Sequence, residues 1–373
     1  MTITFFSNYL NHHQLPLCHE IIKLVGADNF YFVSSEKIND TRIKMGYEDM
    51  NVKYPFVVRA YESQGMKEKA IQLAEDSDIA IIGSAWDIFS KIRGRVNKTT
   101  FLFCERIFKN GSWHRFIPTT AYDIYNSFTR YRNKNFYILC ASSYAASDFI
   151  KCGFPKEKCL KWGYFPELLA YPENRVYYPE RKTLSLMWCG RMVWWKHPEM
   201  AIIAADHLKS KGLDFEIKMF GDGEKKQEIV NLIREKDLEP FVKLVGFLPP
   251  EKIRKEMIDS DVYLFTSGKQ EGWGVVLNEA MNSGCAVIAN INAGSSRYLV
   301  KDGTSGYLYD GSVVSFIRCL DAIINSNIRE LGLSAYAVLK DDWNPQESAR
   351  LLINFVTNGL MEDSHSSKPV TYC

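Results

Sequence analysis

The sequence predicts a two-domain α/β protein with a largely parallel sheet in each half. Three observations carry that expectation. Short apolar runs rich in β-branched and aromatic residues recur along the chain. Stretches long enough for a crossover helix separate them, as βαβ units require. The pattern then restarts after a charged, proline-bearing segment at 168–182. A length of 373 residues exceeds one average core and suits two domains of roughly 150 to 200 residues.

TITFFS (2–7) reads as the first strand, because its β-branched and aromatic residues lack the polar alternation of a half-exposed sheet. QLPLCHEIIKLVG (14–26) has helical spacing and stops at a glycine. FYFVSS (30–35), DIAIIG (78–83), TFLFCE (100–105) and NFYILCAS (135–142) are further strands, while 36–64 is less regular and has room for an insertion. Residues 142–167 read as a helix, a Gly-Phe-Pro turn and a short last strand. TLSLMWCG (183–190) opens the second pattern. Helix 197–210, strand 214–221, helix 224–235, strand 241–246, helix 250–260 and strands 262–267 and 285–290 continue it. Asn344 and Pro345 fit the cap and first position of a final helix. The expected division is a first domain over 1–170, a linker over 171–182, a second domain over 183–343, a helix over 344–360 and a frayed polar tail over 361–373.

Composition narrows the function classes. Lys and Arg total 46 against 44 Asp and Glu, a formal charge of +2, which argues against a dedicated nucleic-acid binder. Lys and Arg at 91, 93, 95, 98, 106, 109, 115, 130, 132 and 134 form a modest basic cluster that permits docking on anionic lipid or on a lipid-linked diphosphate acceptor, with a solvated face as the plainer reading. The nine cysteines include no CxxC pair, and several lie inside apolar runs. They read as small core hydrophobes in a reducing, cytoplasmic setting. The N-terminus lacks the pattern of a secretory signal, and no run reaches the 18 or so apolar residues of a membrane span.

Two segments of the second half carry unusual residues at strand ends, where open α/β sheets bind ligands. In CGRMVWWKHPE (189–199), Gly190 ends a strand, Arg191 follows it, and Lys196 lies near a helix start. A guanidinium fork and a mobile ammonium suit a diphosphate. In TSGKQEGWGVVLNEAMNSGCAVIAN (266–290), Glu271 precedes Gly272, Trp273 and Gly274, and a helix starting near Val275 carries Glu279. Glycines let backbone amides approach an anion, and a helix start leaves amides unsatisfied. The two carboxylates accept hydrogen bonds from sugar hydroxyls rather than binding phosphate. The combination suits a nucleotide sugar.

With these residues in hand, the second half resembles the retaining nucleotide-sugar glycosyltransferases of family 4 (glycosyl transferases group 1), whose fold is GT-B: two Rossmann-like parallel-sheet domains facing an interdomain cleft. GRMVWWK (190–196), FGDGE (220–224), LVGFLP (244–249), the pair Glu271 and Glu279, and AGSSRYLVKDGTSGYLYD (293–310) carry the resemblance, which covers about 183–357 closely and the first half only in layout. It implies that Arg191 and Lys196, at the strand end marked by Gly190, hold the donor diphosphate. Gly272, Trp273, Gly274, Val275 and Val276 would offer backbone amides. Glu271 would contact the transferred sugar and Glu279 the ribose. Gly246, Phe247 and Leu248 would line the base pocket. The final helix would cross back toward the first domain. The donor would be a nucleotide-diphosphate sugar and the acceptor a glycan or lipid-linked glycan, with no cofactor, no metal ion and no nucleic acid, and with peripheral contact at the inner face of the membrane.

The first half departs from the family pattern. Its first strand leads into SNYLNHHQLP (7–16) instead of a glycine-rich loop, so Asn11, His12 and His13 become candidates for acceptor or phosphate contacts, against a solvated loop. The family often places a histidine beyond the strand at 100–104; here Glu105 and Arg106 stand there. Glu105 is the expected substitute in the reaction, Arg106 a further contact, and Trp113 a residue that stacks on sugar or packs in a core. An epimerase or phosphorylase of the same fold, and a non-catalytic nucleotide-sugar binding protein, remain as rival readings. A dinucleotide oxidoreductase is disfavoured because no strand continues as GxGxxG.

Overall fold

A computed structural model describes residues 1–39, 43, 48–172, 183–359 and 368–373. The chain divides into two compact units, Met1–Glu167 with Asp342–Cys373, and Leu168–Asp341. Most of the linker expected at 171–182, the centre of the irregular region 36–64, Leu360 and residues 361–367 of the expected tail lie outside the described residues.

The first unit holds a seven-stranded sheet in the order β3-β2-β1-β4-β5-β6-β7. Its strands are β1 (Ile3–Ser7), β2 (Phe30–Ser34), β3 (Val57–Arg59), β4 (Ile79–Ile82), β5 (Thr100–Cys104), β6 (Phe136–Cys140) and β7 (Cys159–Lys161), and every pairing is parallel. All five residues of β1 and all four of β4 are buried, which is why these runs carry no polar alternation. One buried cluster runs from Phe6 and Val33 through Ile82, Phe89 and Leu102 to Ile138 and Phe149.

A cation sits inside this unit. Arg93, on helix Asp87–Val96, is 0% exposed. Its guanidinium donates to the carbonyls of Ala74, Ser77, Asp78 and Thr99 and to Thr100 Oγ1, at 2.6 to 3.2 Å. Desolvation lowers its pKa to about 10, opposed by the charge of Asp78. Arg93 therefore leaves the basic surface cluster expected from sequence. It satisfies carbonyls where chain enters β4 and β5, groups that would otherwise be buried without donors.

The second unit holds a six-stranded sheet in the order β10-β9-β8-β11-β12-β13, again wholly parallel. Its strands are β8 (Leu184–Cys189), β9 (Phe215–Phe220), β10 (Val242–Gly246), β11 (Val262–Phe265), β12 (Ala286–Asn290) and β13 (Tyr307–Tyr309). The chain steps outward from β8 to β10, then returns to the other side of β8 and continues through β11, β12 and β13. That reversal is the topological switch point of a Rossmann sheet, and it lies between β8 and β11. The first sheet reverses in the same way between β1 and β4.

Helix Pro345–Asn358 begins as its sequence indicates. Asn344 Oδ1 accepts from Glu347 N at 2.8 Å and Pro345 occupies the first turn. The helix packs on Leu15–Val25, and Phe355 meets the rings of Phe101 and Tyr137, all in the first unit. The frayed tail needs correcting at its end. Lys161 N donates to Thr371 O and Val370 N to Lys161 O, both at 2.8 Å, and Val370 is 4% exposed. An apolar residue and an open strand edge tie residues 368–373 to β7.

Candidate functional site

At the switch point of the second unit, the exit of β8 is built by close backbone packing. A Cβ at Gly221 would stand 2.0 Å from the Gly190 carbonyl oxygen, and one at Gly223 would stand 2.5 Å from that of Met192. Both glycines have positive φ. The FGDG turn is thus pressed against Gly190–Met192, and Met192 N donates to Asp222 O at 2.8 Å. This fixes the segment from which Arg191 projects. Arg191 is exposed, with its guanidinium over the Trp195 ring at 5.5 Å.

Lys196 closes the turn Trp194–Lys196 and is anchored through its backbone. Trp188 Nε1 donates to Thr266 Oγ1 at 2.8 Å, and that hydroxyl donates onward to Lys196 O at 2.6 Å. Gly268 N bonds to Trp195 O at 2.8 Å. The loops after β8 and β11 are therefore one hydrogen-bonded unit. Across it, the Lys196 ammonium and the Glu271 carboxylate form an ion pair, 15% and 16% exposed.

The loop after β11 leaves donors open. Among the described residues, the N–H groups of Gly272, Gly274, Val275 and Val276 meet no acceptor in the protein. Gly274 has φ +84°, and a Cβ there would reach Phe265 Cζ at 2.4 Å, so only glycine fits without movement. The Trp273 side chain is core. It is 1% exposed and its indole donates to Asn278 Oδ1 at 2.8 Å, so only its backbone faces the loop. Ser295 Oγ holds the Trp273 carbonyl at 2.6 Å.

Glu279 lies on helix Val276–Asn282, partly buried. Burial pushes its carboxyl up to about 7, against a smaller opposing pull from Arg254. Arg254 Nη1 donates to the Glu279 carbonyl at 2.9 Å. At the end of β10, Gly246 has φ +87°, Phe247 is 53% exposed and Leu248 is partly buried. An exposed aromatic beside a strand end offers a flat face to a planar ring. Thr266, Arg254 and Ser295 were not singled out from sequence. Ser295 lies in the AGSSRYLVKDG stretch, but nothing in a lone serine or arginine signals a backbone partner far along the chain.

In the first unit, the loop after β1 is organised by its own side chains. Asn11 Oδ1 accepts from His13 N and Gln14 N at 3.0 and 3.2 Å, an Asx turn. The His12 and His13 rings lie 3.7 Å apart, and Gln14 Nε2 donates to Ser7 Oγ at 3.2 Å. Glu105 is engaged on both oxygens, by Lys109 Nζ at 3.0 Å and Tyr164 OH at 3.3 Å. Arg106 turns inward, its Nε 3.7 Å from the buried Asp148 carboxylate and its guanidinium 4.9 Å from the Tyr144 ring centre. Trp113 is 60% exposed and stacks on His114 at 3.9 Å, so it is not a core tryptophan. Two Asp-Ser-Asp triplets, at 76–78 and 259–261, immediately precede β4 and β11. There Asp78 accepts from Thr2 N and Asp261 from Ser185 N, at the amino ends of the sheets and away from the ligand-binding ends.

Comparison with known proteins agrees with this geometry. Residues 176–337 match the family described as glycosyl transferases group 1. The chain is 32% identical over 166 residues to the amylovoran biosynthesis glycosyltransferase AmsK of Erwinia amylovora, covering 43% of this chain and 40% of that protein. It is 26% identical over 135 residues to the GtfA subunit of a UDP-N-acetylglucosamine–peptide N-acetylglucosaminyltransferase of Streptococcus agalactiae, covering 36% of this chain and 26% of the relative. The chain thus spans less than half the length of these relatives. In structure, Anabaena Alr3699/HepE in complex with UDP superposes at a TM-score of 0.71 and 16% identity, over 96% of this chain and 100% of that one. The lipopolysaccharide outer core galactosyltransferase WaaB superposes at 0.69 and 18% identity over the same shares. The architecture is that of the GT-B fold, two Rossmann-like parallel-sheet units in one chain. Through its second unit, the chain is related to the group 1 glycosyltransferases.

Proposed function

We propose that this chain is a retaining glycosyltransferase of family 4. It would move a sugar from a nucleoside diphosphate sugar to a hydroxyl of a glycan or lipid-linked glycan, in bacterial surface-polysaccharide synthesis at the inner face of the membrane. The observation that carries the reading is the convergence at one switch point of two cations, four open amides and two carboxylates. Uridine is the first base to test, since Alr3699/HepE of the same fold holds UDP. AmsK, named for amylovoran biosynthesis, supports the polysaccharide setting.

In this reading Arg191, Lys196 and the amides of Gly272–Val276 hold the diphosphate. They stabilise the charge that grows on it as the glycosidic bond breaks. Glu271 accepts from hydroxyls of the transferred sugar, Glu279 from those of the ribose, and Phe247 covers the base. The acceptor hydroxyl attacks on the face from which the diphosphate leaves, and a phosphate oxygen takes its proton. The protein contributes mainly orientation and fixed charge. Glu105 orients the acceptor hydroxyl, and Asn11, His12 and His13 contact acceptor or phosphate.

The test is thermal unfolding with UDP-, GDP- and ADP-sugars, since a ligand that binds only the folded state raises Tm. Product analysis by NMR with the best donor follows. Protection by a UDP-sugar and an α-linked product from an α-linked donor are expected. An altered nucleotide sugar formed without acceptor would replace the reading with an epimerase. Protection with neither hydrolysis nor transfer would replace it with a binding protein.

A further inference from the structure

We infer that Trp195 is a positioning residue for Arg191, holding its guanidinium in place for a diphosphate while leaving its hydrogen-bond donors open. The guanidinium carbon lies over the Trp195 ring, 5.5 Å from the ring centre. Among the described residues no carboxylate pairs with Arg191, and its side chain makes no hydrogen bond. Cations elsewhere in the chain are held by anions instead, Lys196 by Glu271, Arg106 by Asp148 and Arg350 by Glu347. The chain brings the two side chains together by folding back after β8. Val193 N donates to Arg191 O at 2.8 Å, and Lys196 N donates to Val193 O at 3.0 Å. These bonds turn the residues after Arg191 back toward it.

The ring that receives the guanidinium is itself fixed. The Trp195 carbonyl accepts from Gly268 N at 2.8 Å, which ties its backbone to the loop after β11. The Trp194 ring meets the Trp195 ring edge-on, at 5.5 Å and 83°. Trp194 is 49% exposed, whereas Trp195 is half-buried. Lys196 Cδ lies 3.6 Å from where a Cβ on Gly190 would stand, so its stem crosses back over the residue before Arg191 and both cations serve one strand exit. A π face attracts a cation without occupying its N–H groups. A carboxylate in that place would bind through the same fork that grips phosphate, and would have to be displaced first. An arginine held by nothing would be spread over rotamers and would lose that freedom on binding. Trp195 removes both penalties. Lys196 has to leave Glu271 to reach a phosphate, whereas Arg191 needs no exchange of partners.

This inference rests on the donor reading of the proposed function. The experiment is titration calorimetry of UDP with the parent chain, Trp195→Leu, Trp195→Phe, Arg191→Ala and the double variant Arg191→Ala with Trp195→Leu, each at a temperature where it is folded. Trp195→Leu keeps apolar bulk but has no π face, and should lose about two- to fivefold in UDP affinity, the range of a cation–π contact at an exposed site. Trp195→Phe restores a π face and should keep most of the affinity. On the Arg191→Ala background, Trp195→Leu should change nothing further, because no guanidinium is left to place. Equal UDP binding by Trp195→Leu and the parent would show that the ring holds nothing that UDP uses. A loss that persists in the double variant would show that Trp195 touches the nucleotide itself. Either result overturns the inference and leaves the donor reading standing. If the parent chain binds none of UDP, GDP and ADP, the donor reading itself fails and the inference falls with it.

Discussion

The Lys196–Glu271 pair makes a prediction about donor binding that distinguishes an exchange of partners from a static clamp. Both side chains are about 85% withdrawn from water, at 15% and 16% exposure. Removing one partner of a fully buried pair costs about 3–5 kcal/mol, because the other charge is left uncompensated. With the residual exposure, about 2–4 kcal/mol is expected for Lys196→Ala or Glu271→Ala in urea unfolding. The double variant should fall short of their sum by about 2 kcal/mol. The backbone anchor of Lys196, through Thr266 Oγ1 at 2.6 Å, is untouched by either change. When a diphosphate arrives, Lys196 would leave Glu271 for phosphate oxygen and free the carboxylate for sugar hydroxyls. Glu271→Ala should therefore bind UDP more tightly than the parent, by about 1 kcal/mol or roughly fivefold, because the ammonium starts unpaired. It should bind the complete UDP-sugar more weakly. Lys196→Ala should lose affinity for both. Titration calorimetry with UDP and with the donor reads all four numbers. If Glu271→Ala loses UDP affinity as Lys196→Ala does, the carboxylate only holds the lysine in place and the exchange is wrong.

Three further outcomes follow from single contacts. Arg93→Met leaves four carbonyls and Thr100 Oγ1 without their donor; a loss of about 3–5 kcal/mol in urea unfolding is expected, and a loss below about 1 kcal/mol would show that water replaces the guanidinium. Gly274→Ala puts a Cβ at positive φ and 2.4 Å from Phe265 Cζ; it should cost about 1–3 kcal/mol of stability and weaken UDP binding more than tenfold, and unchanged UDP affinity would remove the loop amides from the phosphate site. Glu279 has a carboxyl raised by burial from 4.5 to about 7, so the folded chain holds this proton more tightly than the unfolded chain. Its contribution is complete below pH 4.5 and is lost as pH rises through 7, at 1.36 kcal/mol per tenfold difference in affinity. With partial exposure discounted, Glu279→Gln should gain about 2–3 kcal/mol on the parent between pH 4 and pH 8 in urea unfolding, and parallel curves would refute the buried carboxyl.

The fold was legible where strands are long and buried on both faces. TITFFS, DIAIIG and VYLFTS correspond to β1, β4 and β11, whose unbroken apolar runs follow from cover on both sides. The edge strands β3 and β13 have three residues each and are partly exposed. Neither was assigned from sequence, because a three-residue run has no period to detect. Helix 197–210 begins at Glu199, since the turn at 194–196 and His197 in the left-handed region take up the residues before it. The end of the tail was misread because its pairing partner, β7, lies some 200 residues away in sequence and polarity alone says nothing of an open edge.

Cations show where sequence reasoning about a site stops. Arg93, Arg106, Arg191 and Lys196 all stand in loops or helices beside apolar strands, and all four were weighed as surface or ligand-binding charges. The structure separates them by what meets their donors. Arg93 is spent on backbone carbonyls, whereas Arg106 is drawn toward Asp148 and keeps a buried Nε without a hydrogen-bond acceptor. Arg191 is exposed, and Lys196 is paired with the Glu271 carboxylate. The signals that did carry over were the glycines. Gly221 and Gly223 are required by backbone carbonyls that a Cβ would meet at 2.0 and 2.5 Å, and Gly274 by its positive φ and the Phe265 ring at 2.4 Å, and a glycine in such a place is visible in the letters alone. A loop that must admit backbone at van der Waals distance can also admit phosphate oxygen to its amides. That is why the proposed donor half of the site could be drawn from sequence. The loop after β1 offers no such glycine, so any contact from Asn11, His12 or His13 would have to come through side chains, whose direction only the fold decides.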